Sequence, residues 1–117
     1  MSHLPGYGVR VNVVSLIGDL VSDVEVKHVG QGKRVASFLL AVDRPSTEGG
    51  ADVVRVSTWD RQADLCERHL AKGQRVGVDG RLRSRSWQGL DGKRRSAVEV
   101  VANRLQFLSS PLGAEVA

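Results

Sequence analysis

The residues in this sequence best suited to chemistry are arginines and tryptophans that recur at every second position. In the stretch 76–101 the pattern predicts two strands joined by a turn at 88–92. Because side chains of a strand alternate between its faces, one face of the first strand carries Arg81, Arg83, Arg85 and Trp87. A row of cations ending in a flat ring can hold a polyanion that carries flat bases. The alternative is a solvated hairpin whose tryptophan packs under a loop.

The same combination recurs on a second predicted strand, residues 53–59. Its odd positions place Arg55 and Trp59 on one face, whereas its even positions, Val54, Val56 and Thr58, are typical of a core. Lys93, Arg94 and Arg95 add positive charge where the hairpin's return strand begins. The sequence thus predicts two strands that present arginine and tryptophan together.

The histidine, cysteine and aspartate residues do not form a pattern typical of a catalytic or metal site. The three histidines, His3, His28 and His69, are scattered, and a single cysteine gives no metal-ligand spacing. Neither phosphate-binding glycine motif occurs. Cys66 fits best as a small buried hydrophobic residue, and Asp19 and Asp23 as polar residues of a turn. We therefore expect no enzyme activity, no metal and no cofactor.

Size and composition favour one globular domain with a basic surface. The chain has 117 residues, 41% of them hydrophobic and 26% charged. It has no apolar run long enough for a membrane span and no secretory pattern at its start, and one cysteine fits a reducing cytoplasm. The net charge is +4, the pI is about 9.8, and arginine supplies 13 of the 17 basic residues. These values are typical of a cytoplasmic protein that binds nucleic acid.

The order of predicted elements is three strands, one helix and two strands. Strands are expected at 9–20 (bent at Gly18), 35–42 and 53–59, and residues 23–28 are expected to extend the first pairing. A helix is expected at 61–72, followed by the hairpin and a last short strand near 105–108. Asp60 and Gly73 are predicted to cap the helix, and Phe38 and Phe107 to lie in the core. Residues 1–8 are expected to be a flexible N-terminus and 109–117 a short tail. This order predicts an all-β, five-stranded OB-fold barrel over residues 9–108, with an extended β-hairpin.

From residue 11 to 108 the sequence resembles the bacterial single-stranded DNA-binding protein family. The resemblance is carried by VNVVSLIGDLVSDVEV, VASFLLAVDRP, VVRVSTWDRQADLCERHLAKGQRVGVDGRLRSRSW and DGKRRSAVEVVANRLQFL. It implies an OB-fold that binds single-stranded DNA without sequence preference and assembles as a homotetramer, with the first strand helping to form a dimer contact.

The resemblance also implies roles for individual residues. Trp59 and Trp87 match stacking positions of the family, and Arg55, Arg61, Lys72, Arg83 and Arg85 match basic positions. Ser46 and Val53 stand where many members carry an aromatic residue. The family's acidic, partner-binding tip is absent at residues 113–117. Either the sequence is a trimmed form, or it is a short paralogue that recruits its possible partners, replication or repair proteins, poorly.

We therefore predict sequence-independent binding and protection of single-stranded DNA during replication, repair and recombination. The predicted interface comprises Trp59, Trp87, Arg55, Arg61, Lys72, Arg81, Arg83, Arg85, Lys93 and Arg95. A primosomal OB-fold accessory protein, acting mainly through protein contacts, remains an alternative. RNA binding by the same surface is a third, because stacking and cations do not distinguish ribose from deoxyribose.

Overall fold

The computed structural model describes residues 9–45 and 49–108. The predicted flexible N-terminus at 1–8, the predicted tail at 109–117 and Ser46 lie outside the described residues. The described residues form six strands and one helix: β1 Val14–Leu20, β2 Glu25–His28, β3 Arg34–Asp43, β4 Ala51–Trp59, α1 Asp60–His69, β5 Arg75–Gln88 and β6 Arg94–Phe107. That helix is too short and too polar to cross a membrane.

The strands close into the predicted five-stranded barrel. Their order is β1-β5-β6-β4-β3-β2. An additional pairing between β1 and β3 closes a ring of five strands, and β2 lies outside this ring, paired only with β3. All pairings are antiparallel except β4–β6. The OB-fold barrel, the helix between its third and fourth strands and the extended hairpin β5–β6 are thereby confirmed.

Strand β1 begins at Val14, five residues later than predicted. Asn12 explains the difference, because its side chain bonds the backbone of β5 in place of its own main chain. The Leu82 N–H donates to Asn12 Oδ1 and Asn12 Nδ2 donates to the Leu82 carbonyl, both at 2.9 Å. Asn12 is therefore attached to β5 through its side chain, and residues 9–13 are not part of the strand.

Two glycines permit the barrel to close. A Cβ at Gly18 would lie 2.4 Å from the Ala41 carbonyl oxygen, where β1 passes from β5 to β3. The predicted bend at this glycine is therefore a point of close backbone approach. A Cβ at Gly80 would lie 2.0 Å from the Val101 carbonyl oxygen, beside the register irregularity between β5 and β6.

Two boundaries in the sheet differ from the sequence prediction. Residues 25–28 form a separate strand because the turn through Gly30, Gln31 and Gly32, all at positive φ, returns the chain beside β3. The separate last strand predicted near 105–108 is wrong, because it and the hairpin's return strand form one strand, β6, which ends at Phe107. An irregularity opposite Asp79 and Gly80 lets this strand continue while its faces change parity.

The core fills the barrel as the even positions of β4 predict. Val56 and Thr58 are buried and Val54 packs against the core. Phe38 is buried as predicted, but the prediction for Phe107 is wrong, because its side chain is 39% exposed. Phe107 is the last residue of β6, and its ring lies at the end of the barrel beside His69, with 6.2 Å between ring centroids.

The helix is shorter than predicted and both of its predicted caps are wrong. Trp59 occupies the N-cap position without a side-chain cap, and Asp60, at φ 52°, instead accepts a hydrogen bond from the Arg34 N–H. Leu70 leaves the helix in an extended conformation, and Gly73 follows three residues later at φ 94°. Ala63, Cys66 and Leu70 form the buried stripe that the sequence predicts.

Candidate nucleic-acid interface

The antiparallel register of β5 and β6 determines which side chains share the hairpin's outer face. Arg83 lies opposite Glu99, Arg85 opposite Ala97 and Trp87 opposite Arg95. Residues opposite each other in an antiparallel pair project to the same side. The predicted alternation is therefore realised on one face that combines arginine, tryptophan and one acidic residue.

Glu99 is the buried centre of this face. Its side chain is only 4% exposed, and it contacts arginines from two different strands. Arg83 Nη2 donates to Glu99 Oε2 at 2.7 Å, while Arg55 Nε lies 3.5 Å from Oε1. The Arg55 Nη2 also donates to Ser37 Oγ at 3.1 Å. The carboxylate thus joins β4, β5 and β6 and fixes where both guanidiniums can reach.

The arginines above Glu99 remain partly open to solvent. Their side chains are 34% (Arg55) and 40% (Arg83) exposed. A guanidinium has five N–H donors, so one or two bonds to protein leave donors for a ligand. A buried carboxylate beneath two cations gives a local charge of +1, which attracts phosphate less strongly than two unpaired arginines would.

Towards the hairpin tip the outer face becomes cationic and aromatic. The Arg85 guanidinium lies 4.4 Å from the centroid of the Trp87 ring, within cation–π distance. Arg95 forms an ion pair of 3.0 Å with Asp91 across the turn, and the Lys93 N–H donates to the same carboxylate. Trp87 is 37% exposed, so a base could stack on it beside Arg85 or in its place.

Trp59 stands apart from Trp87, at the junction of β4 and α1. It is half-buried and lines an open cavity of about 520 Å³. The other walls come from the first turn of α1 and from β5 and β6, including Arg61, Gln62, Arg81 and Asn103. Arg81 Nη1 donates to Asn103 Oδ1 at 3.3 Å. An indole ring and two of the predicted cations, Arg61 and Arg81, thus line the same cavity.

Nine of the ten predicted interface residues fall into three groups, and one residue lies apart. Arg55 and Arg83 flank Glu99; Arg61 and Arg81 flank Trp59; Arg85, Trp87, Lys93 and Arg95 surround the hairpin tip. Lys72 lies beyond the C-terminal end of α1 and belongs to none of these groups. Val53, where an aromatic was expected from the resemblance, is 58% exposed.

Sequence reasoning missed Glu99 as a part of the interface. The signal was present, because a single acid stands in the apolar run AVEVVA. Once the turn pairs Gln88 with Arg94, counting back along both strands places Glu99 opposite Arg83. Gln62 was also missed; it accepts from Thr58 Oγ1 at 2.7 Å and donates to the Asn103 carbonyl at 2.6 Å.

The described residues were also compared with what a cysteine nucleophile or a metal site requires. Burial raises the pKa of the Cys66 thiol to about 12, so it stays protonated and is a poor nucleophile near neutral pH. Across residues 9–45 and 49–108, three or more histidine, cysteine or acidic side chains do not come together in a metal-binding arrangement.

Comparison with known proteins gives one consistent result. Residues 11–108 match the model of the single-strand binding protein family. The chain is 43% identical over 102 residues to single-stranded DNA-binding protein 3 of Clostridium acetobutylicum, covering 84% of this chain and 71% of the relative. It is 41% identical to the Clostridium tetani single-stranded DNA-binding protein (84% and 70%) and 40% identical to single-stranded DNA-binding protein A of Bacillus subtilis (88% and 62%). The matches therefore leave roughly a third of each relative uncovered.

Proposed function

The chain belongs to the single-strand binding protein family, and we propose that it binds and protects single-stranded DNA without sequence preference. Bases stack on Trp59 and Trp87, and the partly exposed arginines neutralise phosphates. The protein acts in the cytoplasm, on single strands that arise in replication, repair and recombination. The proposal includes no catalytic step, because the family is one of non-catalytic DNA-binding proteins.

The observation that carries this proposal is that each tryptophan lies beside arginines. Trp87 lies beside Arg85, and Trp59 shares its cavity with Arg61 and Arg81. Stacking tolerates any base because every base has a π-face, and each stacked base contributes about 1–3 kcal/mol. Cations add a term that depends on salt and not on sequence.

Assembly into a homotetramer forms part of the proposal. Four apolar side chains of the N-terminal segment and β1 are strongly exposed, a distribution typical of an interface between protein chains: Val9 at 94%, Val11 at 80%, Val13 at 76% and Ile17 at 61%. Pairing of first strands between two copies would bury them.

Equilibrium binding by fluorescence anisotropy tests the proposal. Labelled dT and mixed-sequence single strands of equal length should bind with affinities within a few-fold of each other, and the matched duplex much more weakly. Equal binding to duplex and single strand would overturn the proposal, because it would leave only general attraction between a basic protein and a polyanion.

A second candidate function is that of a primosomal accessory protein acting through protein contacts. The exposed Val53 favours it, because an apolar side chain stands on the same face as Arg55, where a stacking ring was expected. Affinity capture from a nuclease-treated lysate separates the two functions. A replication protein retained without DNA would support docking, whereas loss of all partners with the nucleic acid would support single-strand binding.

A further inference from the structure

A second, smaller groove adjoins the Trp59 cavity on the side of α1. It has a volume of about 200 Å³ and is lined by Gln62, Leu65, Arg104, Leu105 and Phe107. Leu65 is 40% and Phe107 39% exposed. An aromatic ring and an aliphatic side chain thus stand open beside an exposed arginine, outside the ten residues of the interface predicted above.

The groove and the Trp59 cavity share one wall residue, Gln62. Gln62 lines both, held in place by Thr58 on one side and by the Asn103 carbonyl on the other. Arg104 directly follows Asn103, which lines the larger cavity. A strand lying in the Trp59 cavity can therefore pass over Gln62 into the groove.

The charge around the groove suits a polyanion. At 3.6 residues per turn, Arg61 and Arg68 flank the position of Leu65 on the helix, whereas Glu67 projects almost oppositely. The remaining acid in this part of α1, Asp64, is turned towards β3, where Arg34 holds it in two hydrogen bonds of 2.8 Å. Arg104 lines the groove together with the Phe107 ring, and no carboxylate lines it.

The groove also gives the predicted contact at Lys72 a route to the rest of the interface. Arg61 lies in the first turn of α1 and Lys72 three residues beyond its end, and the ten-residue helix is about 15 Å long. Between them lie Leu65 and Phe107, with His69 against the Phe107 ring. A strand running along α1 from Arg61 towards Lys72 would cross the exposed ring.

We propose that Leu65, Arg104 and Phe107 form an additional nucleotide subsite for the single strand leaving the Trp59 cavity. A base stacks on the Phe107 ring and Arg104 neutralises its phosphate. This subsite rests on the proposed function, and it lengthens the DNA path along α1.

Binding to dT oligomers of increasing length, with two single variants, tests the subsite. Phe107→Leu keeps the apolar volume but removes the ring, and Arg104→Gln removes an exposed charge with little risk to folding. With long oligomers we expect Phe107→Leu to weaken binding about fivefold or more. Arg104→Gln should lower the slope of log affinity against log salt by about 0.7. With the shortest oligomer that saturates tryptophan quenching, neither variant should differ from wild type.

Arg44→Gln is the matched control, because it removes the same charge at the far end of β3, where Arg44 pairs with Asp52. A loss of affinity shared by Arg44→Gln and Arg104→Gln would overturn the subsite, since net charge alone would explain it. Defects of equal size for short and long oligomers would also overturn it. A changed molar mass of Phe107→Leu with unchanged DNA binding would assign the groove to contact between copies. Failure of wild type to bind any oligomer would instead overturn the proposed function itself.

Discussion

Glu99 couples the stability of the barrel to the cations of the candidate interface. A carboxylate buried to this extent needs its partners, because an ion taken out of water costs several kcal/mol unless it is paired. Arg83 provides the shorter contact, at 2.7 Å, and Arg55 the longer, at 3.5 Å. Substitution of either arginine therefore affects folding as well as DNA binding, and a loss of affinity alone would not assign a phosphate contact.

We expect Arg83→Ala to lower the free energy of unfolding by about 2 kcal/mol. Breaking a fully buried pair costs about 3–5 kcal/mol, but here Arg55 still neutralises the carboxylate in part. Arg85→Ala is the control on the same face and should lower the free energy of unfolding by at most about 1 kcal/mol, because it removes only an exposed cation–π contact. Urea denaturation measures both, and equal losses in the two variants would contradict the role given to Glu99.

At Trp87 two contacts compete for the indole ring: the cation–π contact with Arg85 and the stacking of a DNA base. The Arg85 guanidinium lies within cation–π distance of the ring, a contact worth about 0.5–1 kcal/mol at an exposed site. A stacked base contributes about 1–3 kcal/mol. Base stacking therefore exceeds the intramolecular contact when DNA is present.

Trp87→Ala should weaken single-strand binding by about 1–3 kcal/mol, or about 5- to 150-fold. The loss should be similar for dT and mixed-sequence oligomers, because stacking does not read the base. Anisotropy titration measures it, and unchanged affinity would show that Trp87 is not a stacking platform.

At the scale of elements, close backbone approach at two glycines permits the barrel to close. Gly80 stands where β5 meets the irregular part of β6, and Gly18 where β1 passes from one partner strand to the other. In both places the atom that a side chain would meet belongs to the backbone, so it cannot move aside cheaply.

Gly80→Ala is expected to destabilise the fold by about 3 kcal/mol or more, because overpacking against fixed atoms costs at least 1–3 kcal/mol. Gly77→Ala, three residues earlier on β5, serves as the control. Its added Cβ would be 3.7 Å from the nearest atom, an ordinary contact. Comparable melting temperatures for the two variants would contradict this account of barrel closure.

The alternation of the hairpin and of β4 was predictable from the sequence because strand periodicity is a local property. The shared face of Arg83, Arg85 and Trp87 follows from it, as does the burial of Val56. The irregularity opposite Gly80 was not predictable, since a bulge adds one residue without a local signal. It places even-numbered Val100 and odd-numbered Leu105 on the same inner side. Phe107 has the parity of Leu105 but is the last residue of β6, and its ring is exposed at the end of the barrel.

The helix boundaries show a similar limit of local reasoning. Aspartate is a common N-cap residue, but the carboxylate of Asp60 accepts a hydrogen bond from the Arg34 N–H on β3 instead. The two groups of cations around Glu99 and Trp59 also depend on strand pairings between residues far apart in the chain. The residue types of the interface could be predicted from the sequence alone. Which of them lie together could be read only from the strand topology.

For the whole molecule, the proposal is that four copies form one DNA-binding unit. The exposed side chains Val11, Val13 and Ile17 favour association through the first strands. Light scattering should give a molar mass of about four chains, unchanged when short dT oligomers are added. A mass of one chain at micromolar concentration would contradict the tetramer.

Titration of the wild-type protein with poly(dT) at low salt, followed by its own tryptophan fluorescence, tests the central claim most directly. The chain has only two tryptophans, Trp59 and Trp87, and both are assigned to stacking. We predict strong quenching that saturates at a fixed ratio of nucleotides to protein and reverses as salt is added. Binding without any quenching would contradict the account, because DNA would then be held without contact to either ring.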